Sequence, residues 1–240
     1  MKTLHRTATL ALGLLVFTAS GLAAQTAADP SGHWVGSIEI PGRTVDFQAD
    51  FAKNSSGQLA GAITVQSDDG DGFPIPLNRI TVDRTSLVFY ARSDQPFHGV
   101  LSGDGTMMTG TTTLSGYELP FGLRRTGDAQ LAPAPTSAAV GRELEGGWNA
   151  TLEVAGQQFH FVLTIANQPD GTTIARIIDL DEGGLVVPVV ITQRASHVSY
   201  ESRGVRSSYT GELNAAGTEL AGTWTQGDAS VPLSFHRAVK

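Results

Sequence analysis

The sequence predicts an all-β protein: two tandem small antiparallel up-and-down β-barrels of about eight strands each, joined by a flexible linker. Three observations carry this expectation. The chain repeats itself along nearly its whole length. Apolar residues alternate with period two, and no segment shows a helical period. Glycine-bearing turn signals punctuate the alternation at short intervals.

The repeat comes first. The segment GHWVGSIEIPGRTVDFQADF (Gly32 to Phe51) lies over GGWNATLEVAGQQFHFVLTI (Gly146 to Ile165), matching Trp34 with Trp148, Gly42 with Gly156 and Phe47 with Phe161. Near the ends, GVLSGDGTMMTGTTT (Gly99 to Thr113) lies over GELNAAGTELAGTWT (Gly211 to Thr225). The tails YELPFGLRR and ASVPLSFHR follow in register, with Pro120 on Pro232 and Arg125 on Arg237. Copy one is thus assigned to residues 29–126 and copy two to 143–240. The segment between them, 127–142, is rich in Ala, Pro, Ser and Thr and loses its hydrophobic period, which is linker composition.

Within copy one, Val45, Phe47, Ala49 and Phe51 alternate with Thr44, Asp46, Gln48 and Asp50; Phe159, Phe161 and Leu163 do the same in copy two. Strands are expected near 33–40, 43–53, 58–66, 73–82, 85–91, 96–102, 107–114 and 117–125, with turns at Pro41-Gly42, Ser56-Gly57, Asp104-Gly105 and Ser115-Gly116. Sequential hairpins of this length suit a lipocalin-like barrel, whose closure removes exposed strand edges. The interior is then either filled by side chains or holds one small ligand.

Residues 1–24 read as a secretory signal: Lys2 and Arg6, an apolar run from Thr9 to Phe17, then the small residues of Ser20 to Ala24. That run is too short to span a bilayer, which takes about 20 residues, and no later stretch is apolar enough. A periplasmic or extracellular location follows. The formal net charge of −7 falls by two more when Lys2 and Arg6 leave with the signal, and no basic stripe remains, so nucleic acid is excluded as a partner. With no Cys there is no disulfide, thiol nucleophile or Cys-ligated zinc.

No Gly-x-Ser-x-Gly elbow, Ser-x-x-Lys pair or phosphate-cradling glycine loop occurs, and no catalytic residue or cofactor is assigned. His33, His98, His160, His197 and His236 lack metal-ligand spacing and read as ordinary surface residues. The acidic loops SDDGDG (Ser67 to Gly72) and DLDEGG (Asp179 to Gly184) offer Asp69, Asp71 and Asp181 as Ca²⁺ ligands, but without EF-hand spacing they read foremost as soluble turns. Trp34 and Trp148, matched at the start of the first strand, read as barrel-floor core, with sugar stacking as the alternative. The run Leu185 to Ile191 reads as a central strand or as the lining of a cavity. The ligand-binding candidates are Trp148, Phe161, Val187 and Trp224.

The ending GELNAAGTELAGTWTQGDASVPLSFHR, together with a Gly-x-Trp first strand and an acidic Gly-containing loop before a Pro-containing strand, resembles a β module of exported bacterial proteins. There it precedes an α/β-hydrolase or other serine hydrolase domain. Copy two matches at Trp148, Asp181, Pro188, Gly222, Trp224, Pro232 and Arg237; copy one keeps Trp34, Gly36, Gly110, Pro120 and Arg125 but has Thr112 for the second Trp. The resemblance implies no catalytic residues, because the module is an appendage. The expected function is an exported, non-catalytic binding or accessory protein, with a small lipophilic ligand held in a barrel. The alternatives are a protein-interaction scaffold acting through two linked copies, and a hydrolase whose site assembles only in three dimensions.

Overall fold

The computed structural model describes residues 28–65, 72–154 and 156–239. The signal segment 1–24 and the acidic residues Asp69 and Asp71 lie outside them. The described chain is all-β, apart from one 3-10 turn at Arg142–Leu144.

Copy one contains β1 (Gly32–Ile40), β2 (Arg43–Lys53), β3 (Leu59–Val65), β4 (Pro74–Pro76), β5 (Arg79–Asp83), β6 (Ser86–Arg92), β7 (Gln95–Leu101), β8 (Met107–Leu114) and β9 (Tyr117–Gly127). They form an antiparallel sheet in the order β4-β3-β2-β1-β9-β8-β7-β6-β5. The sheet curls until its two edge strands are consecutive in the chain. The one strand expected at 73–82 is split. Pro74 and Pro76 have no N–H to donate, so β4 pairs only briefly with β3. The chain then crosses over: Leu77 N–H donates to Gly61 O (2.9 Å) on the β3 side, and Asn78 N–H donates to Tyr90 O (2.7 Å) on the β6 side.

Copy two contains β10 (Ser137–Ala138), β11 (Gly146–Val154), β12 (Gln157–Asn167), β13 (Thr172–Asp179), β14 (Leu185–Arg194), β15 (His197–Ser202), β16 (Ser207–Leu213), β17 (Glu219–Gln226) and β18 (Ala229–Arg237). Here the fourth strand, β14, runs unbroken. Its first half pairs with β13 and its second half with β15, so β11 to β18 close into an eight-stranded antiparallel barrel. Closure satisfies every ladder and leaves no edge.

The connector is less free than its composition suggests. Residues 137–144 dock on barrel two. β10 pairs with β13, Val140 N–H donates to Thr173 Oγ1 (3.2 Å), and Gly141 N–H donates to Gln193 Oε1 (2.7 Å). Val140 and Leu144 are buried in that barrel's core, so structurally the second module begins before residue 143.

Each barrel has its own core. One end of each is sealed identically. Trp148 is fully buried, its Nε1 donates to Leu144 O (2.9 Å), and the Arg237 guanidinium lies 4.3 Å over its ring. Trp34 is equally buried, donates to Pro30 O (2.8 Å) and carries Arg125 at 4.7 Å. The cation–π contact and the charged hydrogen bonds from each Arg to nearby carbonyls tie the last strand to the chain entering the first.

Candidate functional site

The interiors differ. In barrel one Phe47, Phe89, Phe97 and Phe121 form a continuous aromatic stack, with Phe89 on Phe97 at 4.8 Å and Phe121 edge-on to Phe47, Phe89 and Phe97. In barrel two the strand registers place Phe161, Tyr200, Tyr209 and Leu233 at those positions. Tyr200 still stacks on Tyr209 at 5.3 Å, but Leu233 is smaller than Phe121 and reaches less far. Beside Leu233, barrel two encloses a cavity of about 370 Å³.

The cavity lies at the end of the barrel away from Trp148. Its walls come from the C-terminal halves of β11, β13, β15 and β17 and the N-terminal halves of β12, β14, β16 and β18. Apolar side chains dominate: Leu152 and Val154, Phe159 and Phe161, Ile177, Leu185, Val187 and Val189, Trp224 and Leu233. The run from Leu185 therefore does both things its sequence allows. Residues 185, 187 and 189 face the cavity, while the outer face of β14 abuts β4 and β6 of barrel one.

Of the residues singled out from sequence, Phe161, Val187 and Trp224 come together on this wall. Trp148 does not. It packs in the sealed end, because its indole N–H needs the Leu144 carbonyl and its ring needs Arg237. Asp181 lies on the β13–β14 turn and is engaged by His160, whose backbone N–H donates to Oδ2 and whose Nδ1 lies 3.2 Å away. That backbone hydrogen bond, then the side-chain one, holds its carboxyl below the usual range. Among the described residues no group of three or more potential metal ligands occurs. His33, expected at the surface, is instead buried: its Nδ1 lies 2.8 Å from Asp50 Oδ1, which also accepts Gln130 N–H (2.7 Å) and so anchors the start of the connector.

Four polar lining residues were not among the binding candidates read from the sequence: Asp179, Ser202, Ser207 and Gln226. Part of their signal was present, since Ser202 continues the inward alternation of Val198 and Tyr200. Asp179 Oδ1 caps its turn by accepting Asp181 and Glu182 N–H, both at 3.1 Å. Burial, ahead of the neighbouring acids, nevertheless pushes its carboxyl up.

Two rim turns rest against barrel one. Ser93 N–H donates to Gly183 O (2.7 Å), Arg92 pairs with Glu182, and the Phe73 ring lies against Gly204. Among the described residues no helix is long and apolar enough to cross a membrane.

No protein-family model and no curated protein matches the chain. Solved structures similar to it include two with broad coverage. One, from Bacteroides fragilis, is described as a candidate outer membrane protein, with 12% identity and a TM-score of 0.27, covering 87% of this chain and 97% of that one. The other is a protein of unknown function of the DUF3598 family from Nostoc punctiforme, with 11% identity and a TM-score of 0.27, covering 87% and 96%.

Proposed function

We propose that this is an exported, non-catalytic binding protein that holds a small lipophilic ligand in barrel two. The observation that carries the reading is the asymmetry of the two interiors. One fold, repeated, carries a phenylalanine stack inside the first copy and an apolar cavity inside the second. Protein interiors are normally close-packed, and an apolar void forfeits dispersion contacts on its lining. A ligand restores them. The volume lies within the range of small-molecule sites, which are mostly apolar with a few placed polar groups. Export and an accessory role are supported by the N-terminal segment and by the likeness of both copies to the β modules of exported hydrolases.

Native mass spectrometry of the protein purified from its own host tests this. The expected result is a near-stoichiometric small-molecule adduct that organic extraction removes. Empty protein, with no thermal shift across a lipid panel, overturns it.

A further inference from the structure

The polar part of the wall is ordered. Ser202 on β15 is the register partner of Ser207 on β16, and Ser207 is the register partner of Gln226 on β17. Three polar side chains on three consecutive strands thus form one lateral row, and all three line the cavity. Ser202 is 3% exposed, and among the described residues its Oγ has no hydrogen-bond partner. Gln226 donates from Nε2 to Val205 O (2.7 Å), which fixes the amide.

Barrel one shows that the row is not required by the fold. Counted along each strand from the matched ladder Leu87–Gly99–Gly110, which corresponds to Val198–Gly211–Gly222, Ser202, Ser207 and Gln226 fall on Ala91, Gln95 and Leu114, with a bulge in barrel one that pairs Gln95 with Arg92 and leaves the inward-facing Ala91 out of the ladder. The filled barrel has apolar residues at two of the three places. Barrel two has hydroxyls and an amide there, and Ser202 Oγ is buried and, among the described residues, unpartnered, as Thr112 Oγ1 is elsewhere in barrel one. Buried polar groups are nearly always paired, and an orphan calls for a partner.

The lining also limits charge. Among the described lining residues there is no Lys, Arg or His, and the one carboxyl, Asp179, lies two strands from Ser202, on β13. An anionic head group would find no cation and one acid. A neutral group that donates and accepts would meet Ser202, Ser207 and Gln226.

We infer that barrel two binds a neutral amphiphile, with its apolar body between Phe161, Val187 and Trp224 and an uncharged hydroxyl or amide head on the Ser202–Ser207–Gln226 row. This deepens the lipophile reading and rests on it.

The test is displacement of a fluorescent apolar dye from the full chain by four probes of matched size: decanol, undecane, decanoate and decylamine. The decanol-to-undecane affinity ratio of the wild type, in which aqueous desolvation of both probes is included, is the reference against which the variants are read. Decanoate is expected to bind more weakly than decanol. Ser202→Ala and Gln226→Leu, which install the barrel-one residues and so suit the fold, should together lower the decanol-to-undecane affinity ratio about tenfold, the factor one neutral hydrogen bond supplies. A ratio that survives both substitutions, or tighter binding of decanoate or decylamine than of decanol, overturns the head-group assignment and leaves the apolar cavity standing. If neither the dye nor any probe binds, the lipophile reading falls and this inference with it.

Discussion

Leu233 stands where Phe121 stands in barrel one, so this wall position carries the smaller side chain in barrel two. Leu233→Phe should narrow the cavity from inside. Because the added ring enters empty space rather than packed core, stability should rise by about 1 kcal/mol instead of suffering the usual overpacking loss. Lipophile affinity should fall more than tenfold. A denaturant melt and a dye titration on the same preparation read both. Asp179 makes a second prediction at this scale. Its carboxyl is raised by burial, so its contribution to stability is present below the unfolded-state pKa and is lost as pH rises through the raised value. Asp179→Asn keeps the oxygen that caps the turn and removes the charge. The variant should melt higher than the wild type at neutral pH, and the gap should close below about pH 4. A gap independent of pH would refute the assignment.

At the scale of strands, the Gly-Thr-Trp ending has a steric cause. Gly222 is the register partner of Gly211, and the Tyr209 ring lies across both to donate to Leu220 O (2.9 Å). A Cβ on Gly222 would come within 2.2 Å of Thr210 O and 2.7 Å of Tyr209 Cζ. Backbone cannot yield as a flexible side chain does, so Gly222→Ala should cost about 3 kcal/mol, the upper end of the overpacking range, measured by urea denaturation. Trp148 ties β11 to β18 through Arg237. Trp148→Ala should cost about 3–5 kcal/mol yet leave the lipophile affinity of the folded fraction unchanged, because its ring lies in the sealed end and not on the cavity wall. A large loss of affinity in folded protein would return Trp148 to the site.

Across the whole molecule, two separate cores meet, among the described residues, through contacts that include the Arg92–Glu182 ion pair, the Ser93–Gly183 hydrogen bond and the Phe73 ring on Gly204. Such half-exposed ion pairs contribute about 1 kcal/mol or less. Barrel two should therefore fold alone, provided its docked connector is kept. A fragment of residues 137–239 should melt near barrel two's transition in the full chain. A fragment of 143–239 loses β10 and the buried Val140 and should be less stable by about 2 kcal/mol. Calorimetry of the two fragments decides it, and equal melting temperatures would show that the connector contributes nothing.

The sequence by itself determined the fold class, the duplication, nearly every strand, and Trp34 and Trp148 as matched core residues; that each carries an arginine over its ring came from the structure. Those are consequences of local rules: period-two alternation, turn glycines and a repeated register are written in neighbouring residues. It also placed Phe161, Val187 and Trp224 among the binding candidates. Only the tertiary structure decided that Phe161, Val187 and Trp224 share a wall, that Trp148 does not, that His33 is buried on Asp50, and that β4 and β5 are one strand split at Leu77–Asn78. It alone showed the cavity in copy two. The physical reason is that a void is set by the sum of side chains from all eight strands. Leu233 in place of Phe121, or Ser202 in place of Ala91, means nothing until strands distant in sequence are wrapped into one barrel and their inward faces converge.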